Sequence, residues 1–320
     1  MPVKIPDALP ARTVLEQENI FVMTEKRAKS QDIRPLRLLI LNLMPLKTKT
    51  ENSLLRRLSN TPLQIEVDFL RTATYTATHA STEYLETFYK TFDQVRCSTY
   101  DGMIITGAPV ETMDFEEVEY WDELCAVMEW GRSHVFATLF LCWGAQAGLY
   151  HFHGVRKHPL AAKMFGVFPH VIREQNTPLM RGFDDVFNAP HSRHTEVRED
   201  EVSAVEGLRI LATSPEAGLY IVASDDGRQV FVFGHPEYEA DTLAQEYFRD
   251  RLKGLDIDVP KNYFPNGDPN QLPVATWYSH AQLLYTNWLN YYVYQTTPFD
   301  LSLLPEVHDG EQSPAAPHKG

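Results

Sequence analysis

The chain has 320 residues, 43% hydrophobic and 22% charged, with a net charge of −14. That is ordinary globular composition, long enough for one large or two small domains, and the acidic balance argues against a nucleic-acid surface or an anionic membrane as partner. No apolar stretch approaches the ~18 residues of a transmembrane helix, the N-terminus MPVKIPDALP lacks a signal peptide's continuous apolar region, and three cysteines (Cys97, Cys125, Cys142) without CxxC spacing suggest neither a disulfide framework nor a thiolate metal site.

Residues 1–35 show no clear periodicity and are expected to wrap the surface. LRLLILNL (36–43) is a continuous apolar run, as in a strand buried on both faces. KTKTENSLLRRL has helical spacing, IEVDFL (65–70) reads as a second strand, STEYLETFYKTF (81–92) as a helix, and DGMIITG (101–107) as a third strand. In EEVEYWDELCAVMEWG (116–131), Val118, Trp121, Leu124, Cys125 and Met128 share one helical face, which makes Cys125 most simply a core residue. VFATLFL (135–141) is the fourth strand. This alternation implies a mainly parallel α/β sheet flanked by helices.

The second half is richer in strands. GLRILATS, GLYIVAS and RQVFVFGH (207–235), with turn signals between them, read as antiparallel additions. DTLAQEYFRDRL (241–252) is a helix, and residues 271–295 contain a long aromatic-rich one, which suits either a buried core helix or a homodimer interface. The polar tail 301–320 is expected to be disordered, leaving 36–300 as a single catalytic domain.

The chemistry gathers at two strand tips. Open parallel sheets build their sites beyond the carboxyl ends of the strands, and Cys142 ends an apolar run just where Gly144, Ala145, Ala147 and Gly148 begin. A strand–turn–helix elbow there would present the sulfur to a helix N-terminus, which favours the thiolate; a packed cysteine is the plainer alternative. The needed base appears in QVFVFGHPEYE. His235 follows another apolar strand, and Glu237 can hold its second ring nitrogen. HFH (151–153) and HSRH (191–194) have no carboxylate or cysteine beside them at ligand spacing, so no metal is expected.

CWGAQ (142–146) with HPE (235–237) resembles the class I glutamine amidotransferase fold, which is flavodoxin-like. NLMP (42–45), ITGAPVE (105–111), CWGAQAGLYHF (142–152), APHSRHTEV (189–197) and WLNYYVYQ (288–295) are similar to MetA-type homoserine O-acyltransferases of methionine biosynthesis, over about residues 1–300. The resemblance implies ping-pong transfer from acyl-CoA, a co-substrate, to the hydroxyl of L-homoserine, with no resident cofactor, nucleic acid or membrane. Cys142 would carry the acyl group, His235 would act as base, and Glu237 would orient it. The backbone N–H of Trp143 would serve the oxyanion, with a second donor from around Leu43 to Lys47. Lys163, Ser192 and Arg249 would contact the amino acid, and the role of Lys47 stays open.

By the same resemblance, Glu111 lies beside the acyl chain, where members of the family carry glutamate or glycine. A carboxylate there opposes the terminal carboxylate of succinyl and leaves acetyl unopposed, which points to acetyl-CoA. The plainer reading is that Glu111 begins an acidic helix. Succinyl transfer is the first alternative, and glutamine hydrolysis with the shared triad is the second, although no synthase segment or phosphate loop accompanies it. A catalytically silent binding protein on this fold would not need all three triad residues.

Overall fold

The computed structural model describes residues 3–6, 8–17, 23–24, 34–74 and 81–298. The expected disordered tail lies outside them. Strands in chain order are β1 (Val3–Ile5), β2 (Met23–Thr24), β3 (Leu36–Leu41), β4 (Ile65–Leu70), β5 (Tyr89–Lys90), β6 (Tyr100–Ile105), β7 (Val135–Leu141), β8 (His158–Ile172), β9 (Val186–Glu196), β10 (Leu208–Ser214), β11 (Gly218–Ser224) and β12 (Gln229–Val232). Helices are α1 (Ala11–Gln17), α2 (Lys47–Leu58), α3 (Thr82–Phe88), α4 (Phe92–Val95), α5 (Trp121–His134), α6 (Trp143–His153), α7 (Glu199–Ser203), α8 (Thr242–Leu252) and α9 (Tyr278–Asn287), the last running into a π-helical stretch, Trp288–Tyr294.

All the described strands join one sheet in the order β2-β1-β4-β3-β6-β7-β12-β11-β10-β8-β9, with β5 beside β4. From β2 through β12 the neighbours are parallel; from β12 onward they are antiparallel. The continuous apolar runs of the first half follow from burial on both faces. Leu38 and Ile40 enter one core with Leu54, Leu55 and Leu58 of α2 and with Leu284, Trp288 and Val293 near the C-terminus. Leu39 and Leu41 enter the opposite core with Leu124, Val127 and Met128 of α5 and Ala145 and Leu149 of α6. Each fully buried leucine of this kind stabilises the fold by about 1.5–3 kcal/mol.

Several expectations change in the structure. The segment 1–35 contributes β1, paired with Ile65 and Glu66, and fully buries Ile5 and Leu15. The helix expected over 81–92 is interrupted by β5, which pairs with Phe69 and Leu70. The helix expected from 116 starts at Trp121, preceded by a 3-10 turn at Phe115–Glu117. RQVFVFGH is not an antiparallel addition on both sides, because β12 runs parallel to β7, with Val232 opposite Leu141. The β8–β9 hairpin is unforeseen. Its prolines are tolerated because β10 pairs only with Val171 and Ile172 of β8, and β9 is an edge strand. The aromatic stretch is core, with Trp277, Tyr285 and Trp288 buried within the chain itself.

Close strand–helix approach at the elbow depends on glycine. A Cβ on Gly144 would lie 2.7 Å from the Thr106 carbonyl oxygen and 2.9 Å from that of Ile105; one on Gly148 would lie 2.8 Å from the Phe140 ring. Gly144→Ala should therefore cost about 1–3 kcal/mol through overpacking, read as a lower denaturant midpoint. An unchanged midpoint would show that α6 can move away from β6 freely.

Candidate active site

The parallel strands β3, β6, β7 and β12 end level with one another: Leu41 is opposite Ile105, Ile105 opposite Phe140, and Leu141 opposite Val232. The residues after these ends therefore meet along one edge of the sheet. Thr106 and Gly107 follow β6, Cys142 follows β7, and His235 follows β12.

Cys142 has φ 51 and ψ −116, a conformation rare for a residue with a side chain. Such strain costs about 1–3 kcal/mol and persists only where the surroundings impose it. Here its N–H donates to the Val232 carbonyl at 2.7 Å, and its own carbonyl accepts from the Ala145 and Gln146 N–H groups at 3.0 and 3.2 Å. The sulfur sits at the N-cap of α6, beside the positive end of the helix. A Cβ on Gly107 would lie 3.7 Å from Cys142 Sγ and 3.6 Å from the Trp143 nitrogen, so the Gly107 backbone borders the sulfur.

His235 is buried and donates from Nδ1 to Glu237 Oε1 at 2.8 Å. That leaves its other ring nitrogen for the side-chain hydrogen bond to Cys142. Burial alone would lower the imidazole's pKa, but the charges of Cys142 and Glu237 outweigh it and hold the ring protonated well above its ordinary range. Among the described residues, the buried Glu237 Oε2 has no hydrogen-bond partner, so none of them diverts the carboxylate from His235. The three sequence-predicted triad residues are thus brought together. The other thiols differ: burial, reinforced by Asp122, Glu129 and Glu116, pushes Cys125 up to about 12, and Cys97 is exposed.

Lys163, Ser192 and Arg249 also converge, through two carboxylates that sequence reasoning missed. Ser192 Oγ donates to Glu246 Oε2 at 2.6 Å, Tyr238 donates to Glu246 Oε1 at 2.8 Å, and Lys163 Nζ lies 3.4 Å from Oε2. Arg249 forms a bidentate pair with Asp250 at 2.7 and 3.0 Å, and Lys163 Nζ is 3.7 Å from the same carboxylate. The spacing Glu246, Arg249, Asp250 along α8 was the available signal, since i, i+3 and i+4 lie on one helix face.

Glu111 does not begin a helix. Its carboxylate accepts from the His194 N–H at 3.0 Å, and its carbonyl accepts from Lys157 Nζ at 2.7 Å, which clamps the loop between β9 and the segment before β8. Lys47, whose role the sequence leaves open, begins α2. It is buried, donates to the Asn42 carbonyl, and is lowered to about 8 by burial, against the opposing charge of Glu51.

In the segment around Leu43 to Lys47, where a second oxyanion donor was expected, two N–H groups already have partners. Leu43 N–H is committed to Thr106 Oγ1 at 2.8 Å and Met44 N–H to Asn42 Oδ1 at 3.1 Å. The histidine groupings have local partners: His151 bonds Glu129, His153 bonds Gln229, and His191 bonds His170.

A homoserine O-acetyltransferase of Brevibacillus brevis is 58% identical over 302 residues, covering 94% of this chain and 99% of that protein. One from Petrotoga mobilis is 57% identical over 307 residues, covering 96% and 99%. Among solved structures, a glutamine amidotransferase from Thermotoga maritima aligns with a TM-score of 0.50 at 13% identity, covering 80% of this chain and 98% of that one, a likeness of fold alone. Residues 2–299 match the homoserine O-succinyltransferase family, and the chain belongs to it.

Proposed function

We propose that the protein is a homoserine O-acetyltransferase that works by ping-pong transfer through a Cys142 thioester. The observation that carries this reading is the buried Cys142–His235–Glu237 line at an elbow of positive φ. The Cys142 thiolate attacks the thioester carbonyl of acetyl-CoA, the C–S bond to coenzyme A breaks, and the leaving thiolate takes the His235 proton. The Trp143 N–H, next in the chain after the nucleophile, would donate to the oxyanion, and the Gly107 backbone that borders the sulfur is the candidate for a second donor. Acylation removes the negative charge at Cys142, one of the two that hold His235 protonated. The imidazole then becomes free to accept the homoserine hydroxyl proton as that oxygen attacks the acetyl carbonyl, and Cys142 leaves as thiolate.

Homoserine is a zwitterion, and the convergent charges suit both of its ends. Glu246 offers a carboxylate to the ammonium, and Lys163 and Arg249 offer cations to the carboxylate. On the acyl side, a succinyl carboxylate ~4 Å from Glu111 would be repelled by about 4 kcal/mol at an effective dielectric near 20. Even a third of that gives roughly tenfold selectivity for acetyl. The names of the relatives agree with this preference.

Incubation with acetyl-CoA alone should add one acetyl mass to Cys142, glutamine should release no ammonia, and Cys142→Ser should abolish transfer. Ammonia release without acyl-enzyme would support the amidotransferase alternative. Arg249→Ala should raise the homoserine KM at least tenfold and leave single-turnover acylation of Cys142 within about twofold; slowed acylation would move Arg249 to the acyl-CoA side. Glu111→Gly should raise the succinyl-to-acetyl ratio of kcat/KM about tenfold or more. A wild-type preference for succinyl-CoA would overturn the acetyl assignment without touching the triad.

A further inference from the structure

The face of His235 is covered by a ring that the reaction scheme does not use. Tyr238 stacks on the imidazole with ring centroids 4.1 Å apart and planes 16° from parallel. Its hydroxyl donates to Glu246, and its backbone carbonyl is held from two sides, by Trp277 Nε1 at 3.1 Å and Arg57 at 3.3 Å. Its N–H closes back on the His235 carbonyl at 3.2 Å, so ring and imidazole belong to one tight turn.

We propose that Tyr238 is a positioning residue for the transfer: its ring fixes the plane of His235 and stabilises the imidazolium, and its hydroxyl ties that ring to the amino-acid pocket at Glu246. The inference rests on His235 being the base. A phenol that donates to a carboxylate carries an electron-rich face, and a cation stacked on such a face in a buried site is favoured. Stacking also restricts rotation about the bond that the Glu237 hydrogen bond alone leaves partly free. Among the described residues, the titratable groups facing His235 are Cys142 from the elbow, Glu237 from its own loop, His191 from β9, and Tyr238. His191 adds no charge, because burial above all keeps it neutral. Tyr238 is therefore the member of this set that can favour the cation without being an anion itself.

Alkylation of Cys142 by iodoacetamide as a function of pH separates this role from mere packing. Tyr238→Met keeps apolar bulk and removes the ring; Tyr238→Phe keeps the ring and removes the link to Glu246. A weaker imidazolium is a poorer partner for the thiolate. Tyr238→Met should accordingly move the alkylation midpoint up by about one pH unit, a tenfold loss of thiolate at fixed pH, and lower kcat. Tyr238→Phe should stay within about 0.3 unit of wild type and act mainly through a raised homoserine KM. A wild-type midpoint in Tyr238→Met, or equal shifts in both variants, would overturn the proposal. Failure of the underlying active-site reading would look different: the wild-type protein itself would alkylate like a free thiol.

Discussion

The site exists because parallel strands end level and an elbow holds a cysteine where cysteine does not ordinarily go. At φ 51, Cys142 is locked by a hydrogen bond to β12 and by the first turn of α6. That turn can approach β6 closely only because Gly144 has no side chain. The same approach brings Gly107 against the sulfur. A strained backbone, a close glycine contact and a helix dipole are therefore one constraint seen from three sides. His235 completes it because β12 is parallel to β7 and in register with its last residues.

Charge does the rest of the work, and it is distributed unevenly. His235 stands between two negative groups in a buried setting and stays protonated against the pull of desolvation. Beyond Tyr238, Glu246 and Asp250 face Lys163 and Arg249, so these opposite charges are already partly matched. Under the proposed function, a zwitterion bound there would exchange one set of ion pairs for another. It would meet little unbalanced charge, and selectivity would then depend on geometry more than on net potential.

Much of this was legible in the residues. Helix α2 and strands β7 and β11 fall where apolar runs and helical spacing put them, because doubly buried strands leave continuous hydrophobic signals. Cys142, His235 and Glu237 could be found because each sits just beyond such a run. The β8–β9 hairpin could not, since Pro159, Gly166 and Pro169 interrupt its pattern, and its pairing with β10 is too short to demand otherwise. Glu246 and Asp250 were hidden for another reason. On a helix rich in charge, a carboxylate that faces a pocket looks the same as one that faces water.

The outer side of β4 carries a consequence of its own. Its N-terminal residues, Ile65 and Glu66, are covered by β1, and its C-terminal residues, Phe69 and Leu70, by β5. Two scraps of chain thus share the task of shielding one strand of a sheet whose other side is fully occupied by β3. Losing β1 would open the core around Ile5 and Leu15 and bare the backbone donors and acceptors of β4 at Ile65 and Glu66. The expected penalty is self-association, because an unguarded edge is a template for another strand. Strand β1 is thus at once part of the core and the cover of that stretch of β4.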